Sequence, residues 1–231
     1  PAFLFEPKNI NTINNKEITK IRNYKKNNKL IGFILCGWNF TNGPFDLSPR
    51  NDCDYDLFAD AIEKICIDKN VKVILLSHSN GFNIKKNKYI LKNGRDYVIA
   101  KQLFKILKHR NPLINIDIIR KPYLPNKMKA IIGMFDMLIS GRIHGAVAGL
   151  SQNIPTVMID YGHEPKAHKL IGFAKVVGMQ NFIADPSDEI DLNKKIDFCM
   201  KDFVSIKSKL KKKIPLVKKL AKQNFTILKE L

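Results

Sequence analysis

Arginine is scarce in this chain: six of its 40 basic residues are Arg and the others are Lys. Surfaces that read bases interleave Arg with aromatic side chains, and no such interleaving is present. The formal net charge of +19 therefore reads as a compositional bias toward Lys, Asn and Ile, and no nucleic-acid partner is expected. A basic face that attracts anionic substrates or an anionic membrane surface fits better.

Cysteine is also sparse. Cys36, Cys53, Cys66 and Cys199 form no CxxC pair and have no ligand-like spacing to His. That excludes a zinc-ribbon or disulfide scaffold, and no bound metal is expected. Cys36, Cys66 and Cys199 fall on apolar faces and read as buried, reduced thiols of a cytoplasmic protein. No apolar run approaches the ~20 residues that span a bilayer. The start, PAFLFEPKN, lacks a basic segment followed by a long apolar one, so no signal peptide is expected there. Pro1 suits either a removed Met or a segment of a longer protein. No internal repeat is visible.

What is present is an alternation of short apolar runs and amphipathic stretches. Lys29–Cys36, Val71–Leu76, Asn115–Ile119, Asp136–Ser140 and Pro155–Asp160 read as strands buried on both faces, with a short one near Phe182. Between them, residues 54–68, 96–109, 126–134, 145–152 and 165–177 read as helices, with Asp96 as an N-cap. Asn83 to Arg95 reads as a basic loop. This spacing predicts an α/β fold, a Rossmann-like parallel sheet flanked by helices. Residues 1–29 read as an N-terminal remnant or linker, 30–190 as the α/β domain, and 191–231 as C-terminal amphipathic helices packing on it. Pro215 is expected to kink or break that tail.

Ligands of open parallel sheets bind outside the carboxyl ends of the strands. Four such ends here are polar, and they carry Asn39, His78, Arg142 with His144, and Tyr161 with His163 and Glu164. The sharpest is Ser140-Gly-Arg-Ile-His144. Gly141 permits a close turn after the strand. The next helix starts near Ile143, so its free N–H groups and Arg142 together suit a phosphate or carboxylate. His144 faces the same crevice from the first helical turn, and Lys166 in the next loop can reach it. Gly145, Ala146, Ala148 and Gly149 keep the helix thin enough to lie close to the sheet. Asn39, His78, Tyr161, His163 and Glu164 are candidates for acceptor contacts or for supporting the others. His168, Lys169 and His109 read as helix-surface residues.

The stretch SGRIHGAVAGLSQNIPTVMIDYGHEPKAHKL resembles the C-terminal signature of the polysaccharide pyruvyl transferase family. PAFLFEP resembles the segment that closes that family's N-terminal domain. The resemblance implies the C-terminal half of a GT-B-like architecture, with an N-terminal domain outside this chain and an isolated chain that is inactive without it. It implies transfer of a pyruvate ketal from phosphoenolpyruvate to sugar hydroxyls of a glycan or lipid-linked saccharide, in cell-envelope polysaccharide synthesis. Phosphoenolpyruvate is then a substrate, and no cofactor is needed. On this basis Arg142 binds the donor's phosphate or carboxylate, His144 is the general acid, and Lys166 neutralises donor charge. The location implied is the cytoplasm, peripheral at the inner membrane face. Two other readings remain open: a GT-B glycosyltransferase using a nucleotide sugar, and a basic module docking on anionic polymer or membrane through the C-terminal helices.

Overall fold

The computed structural model describes residues 2–36, 51–85, 88–160, 168–186 and 188–230. In chain order the strands are β1 (Leu30–Ile34), β2 (Lys72–Leu75), β3 (Asn80–Lys85), β4 (Lys88–Asn93), β5 (Ile116–Ile118), β6 (Met137–Ser140), β7 (Thr156–Ile159) and β8 (Ile183–Ala184). The helices are α1 (Lys16–Lys25), α2 (Asp56–Lys69), α3 (Arg95–Arg110), α4 (Pro125–Ile132), α5 (Ile143–Leu150), α6 (His168–Val177), α7 (Glu189–Lys201) and α8 (Phe203–Glu230).

Six strands make one sheet in the order β5-β2-β1-β6-β7-β8, and every neighbouring pair is parallel. Counted within the sheet, that order is 3-2-1-4-5-6, the Rossmann arrangement, whose direction of winding reverses between its first and fourth strands. Here the reversal falls between β1 and β6. Successive residues of β1 feed opposite faces, as the period of a strand requires. Phe33 joins a core built with α2, α3 and α8 through Phe58, Leu103 and Leu210. Ile34 joins a second core, built with α1 and α4 through Ile18, Ile21 and Ile131. Burial on both faces explains why these strands read as unbroken apolar runs.

Residues 1–29, read from sequence as an N-terminal remnant or linker, contain α1. Asn15 caps it by accepting from Glu17 N at 2.8 Å, and Ile18 and Ile21 are buried. The basic loop expected from Asn83 is instead the antiparallel hairpin β3–β4, paired from Asn80↔Asn93 to Lys85↔Lys88. Its alternating apolar positions are hidden in the sequence by dense Lys and Asn. Asp96 is not an N-cap: α3 starts at Arg95 behind Gly94, and Asp96 is its second residue. The tail breaks at Asp202 and not at Pro215, which lies inside α8. Pro215 costs the Lys211 carbonyl its helical partner. Both residues are exposed, so water can replace that bond. The helix stays anchored by Ile206, Leu210, Ile214 and Val217, all buried. At about 1.5–3 kcal/mol for each buried side chain, that stripe outweighs one solvated carbonyl. Among the described residues no helix is long and apolar enough to cross a membrane.

Candidate functional site

The junction between β6 and α5 stands at the reversal point. Gly141 N donates to Ile34 O at 2.8 Å, extending the β1–β6 pairing by one bond, and Cys36 Sγ donates to Gly141 O at 3.0 Å. Ser140 Oγ donates to Arg142 O at 2.8 Å and accepts from Arg142 N at 3.2 Å. This hydroxyl fixes Arg142 in extended backbone as the N-cap residue of α5. The N–H groups of Ile143, His144 and Gly145 then have no partner within the helix, and they carry its positive dipole end. A side-chain carbon on Gly145 would lie 2.6 Å from Ser140 Oγ and 2.7 Å from Ile34 Cδ1. Glycine is what lets α5 press this closely on the sheet.

Arg142 does not point loosely into solvent. Its Nε donates to Asp96 Oδ2 at 3.1 Å and its Nη2 to Asp96 Oδ1 at 2.5 Å. This bidentate pair fixes the plane of the guanidinium. Asp96 is 0 % exposed, and its own N–H donates to Ser79 Oγ at 3.3 Å. The pair joins the first turn of α3 to the β6–α5 junction across the sheet's reversal point.

His78, just past β2, is partly buried. Burial pushes its imidazole down to about 4; Asp96 acts in the opposite direction, and His144 and Arg142 add to the lowering. At neutral pH it is therefore an uncharged imidazole. His144 is exposed on the first turn of α5. The two histidines line one cleft of about 500 Å³ whose other walls are largely apolar, from Ala2, Phe5, Pro125, Val147 and Ala148. Lys129 closes it with its Nζ donating to Phe5 O. Burial lowers the Lys129 ammonium, partly offset by Glu6.

Gly141, Arg142, Ile143, His144 and His78 are thus gathered at one end of the sheet. The Ile143 N–H is one of the unpaired groups opening α5, and its side chain is exposed. Asn39, Tyr161, His163, Glu164 and Lys166 lie outside the described residues, as does the side chain of His168. His109 sits exposed in the last turn of α3, where a basic group complements the dipole. Asp96 is the member that sequence reading missed. The signal was its phase: Asp96, Ala100, Leu103 and Leu107 form one buried stripe of α3, and an acid on such a stripe demands a partner.

The strand order defines a Rossmann-like domain, and its structural neighbours are GT-B glycosyltransferases. Three solved structures show the same fold. Trehalose 6-phosphate synthase from Burkholderia multivorans superposes with a TM-score of 0.54 at 10% identity, over 90% of this chain and 43% of that one. Anabaena Alr3699/HepE, solved in complex with UDP and glucose, gives 0.52 at 14% identity, over 98% of this chain and 56% of its own. The C-terminal domain of a group 1 family glycosyl transferase (LpcC) from Francisella tularensis gives 0.50 at 13% identity, over 92% of this chain and 93% of its own. The chain spans less than half the length of the trehalose phosphate synthases that it matches. No curated protein sequence matches it. The family model for polysaccharide pyruvyl transferase matches residues 43–163, more than half of the chain and inclusive of the β6–α5 junction. The chain belongs to the polysaccharide pyruvyl transferase family.

Proposed function

We propose that this domain carries the donor site of a transferase that moves the pyruvate unit of phosphoenolpyruvate onto two hydroxyls of a sugar as a ketal. The observation that carries this reading is the family match across the Ser140–His144 junction. The N–H groups opening α5 and the guanidinium of Arg142 receive the donor's phosphate or carboxylate. Asp96 holds that guanidinium in one plane.

His144 is the general acid. It delivers a proton to the methylene carbon while the first sugar hydroxyl bonds to C2, and that hydroxyl's proton reloads His144. The C2–O bond to phosphate then breaks. The second hydroxyl closes the ketal, and its proton leaves with the phosphate. His78, uncharged at neutral pH, lines the same cleft and can accept a hydrogen bond from an incoming hydroxyl. Lys166 is assigned to neutralising donor charge, and Asn39, Tyr161, His163 and Glu164 to the acceptor side. The acceptor is a glycan or lipid-linked saccharide, and a companion N-terminal domain completes the site.

A second reading, transfer from a nucleotide sugar, draws on the fold shared with HepE, which was solved with UDP and glucose. Thermal shift separates the two. Phosphoenolpyruvate is expected to raise the melting midpoint and UDP-glucose to leave it in place; the reverse pattern favours the second reading.

A further inference from the structure

The hairpin β3–β4 stands outside the main sheet and has no part in the chemistry above. Across an antiparallel ladder, paired residues share a face, and alternate residues of a strand change face. Phe82↔Leu91 and Ile84↔Tyr89 therefore make one face, and Gly81↔Lys92, Asn83↔Ile90 and Lys85↔Lys88 the other. The first face is apolar, and it is open: Phe82 is 55 %, Ile84 68 % and Tyr89 75 % exposed. Phe82 and Tyr89 meet edge to face at 6.2 Å, so the two rings pack as one patch. The base of the hairpin is held by Asn80 Nδ2 to Tyr123 O and Asn93 Nδ2 to Arg120 O, both at 2.7 Å.

An isolated two-stranded ribbon is marginal in water, and aromatic exposure on this scale adds a cost unless something covers it. The charge pattern says what does. No acidic residue occurs from Ser77 to Arg95, whereas Lys85, Lys88 and Lys92 all lie on the ribbon. An aromatic and aliphatic face backed by lysines matches the boundary of an anionic bilayer. There the rings enter the headgroup region, and the lysine stems bring their ammonium groups back to the phosphates. A protein surface would need its own acidic rim to satisfy the same pattern.

We propose that the β3–β4 hairpin docks the protein on an anionic lipid surface, with Phe82, Ile84 and Tyr89 inserted and Lys85, Lys88 and Lys92 against the headgroups. The proposal moves the membrane contact from the basic C-terminal helices to an element at the sheet's carboxyl edge. It does not depend on which donor the site takes.

Co-sedimentation with vesicles of phosphatidylcholine containing about 30 mol % phosphatidylglycerol tests it, with pure phosphatidylcholine as reference. The protein is expected to pellet with the anionic vesicles only. Phe82→Ser/Tyr89→Ser and Lys85→Glu/Lys88→Glu should each lower the bound fraction about ten-fold with an unchanged melting midpoint. Lys211→Glu/Lys212→Glu on α8 should change it by less than about two-fold. The proposal is overturned if the protein ignores anionic vesicles, or if the hairpin variants bind like the parent. Loss of binding in the α8 variant alone overturns it too. Self-association that Phe82→Ser/Tyr89→Ser abolishes, without lipid binding, would assign the face to a protein partner instead.

Discussion

Asp96 and Arg142 act on each other before either acts on a ligand. The carboxylate is fully buried and tied through both oxygens to one guanidinium. Asp96→Asn leaves that guanidinium charged beside a neutral amide, and is expected to cost about 3 kcal/mol of unfolding free energy. Removing both charges, as in Asp96→Asn/Arg142→Met, should cost clearly less than the sum of the two single changes. Urea unfolding of the four proteins closes that cycle. His78 gives a second expectation. Burial holds the folded imidazole down to about 4, below its ordinary value of 6.5, so between these values the unfolded chain binds more protons. The stability linked to His78 is whole above about pH 6.5 and is lost as pH falls toward 4. Since His78 is only partly buried, the loss should be at most about 2 kcal/mol, and His78→Gln should remove that part of the acid sensitivity.

At the level of elements, the decisive contact is α5 against β1 and β6. Gly145→Ala pushes a carbon against Ser140 Oγ and Ile34 Cδ1, and should destabilise by about 1–3 kcal/mol. In α6 the same change at Gly172 meets nothing within 4 Å, and should stabilise by about 0.5–1 kcal/mol. Thermal melts of the two variants should move in opposite directions. This contact was legible in the sequence, because an apolar run ending in Ser-Gly-Arg and followed by Gly, Ala, Ala and Gly allows little else. The pairing of Arg142 was not legible: its partner lies 46 residues away, and only the winding of the sheet brings α3 and α5 together. The hairpin escaped for a different reason. Period-two alternation at Phe82, Ile84, Tyr89 and Leu91 is short, and Lys and Asn fill the intervening positions. At Pro215 local propensity argued for a kink or a break, and the buried stripe through Ile214 and Val217 keeps the helix unbroken.

On the scale of the whole molecule, the strand order places the reversal point between β1 and β6. The N-termini of α3 and α5 meet there through the Asp96–Arg142 pair. One of them supplies Asp96, and the other supplies Arg142 and His144. The amphipathic C-terminal helices serve mainly as packing for one face of the sheet, and Lys218 of α8 pairs with Glu6 at 3.4 Å, next to the Phe5 wall of the cleft. The hairpin projects from the carboxyl edge of β2, so a lipid surface bound there would lie on the site's side of the sheet. The chain belongs to the polysaccharide pyruvyl transferase family, and the central chemical question is what the β6–α5 junction holds. Calorimetric titration of phosphoenolpyruvate into the parent protein and into Arg142→Ala answers it most directly, with the melting midpoint of each recorded. The account predicts saturable binding to the parent and affinity weaker by at least about ten-fold in the variant, in keeping with a lost charge-assisted contact. Equal affinity in the two proteins would contradict it.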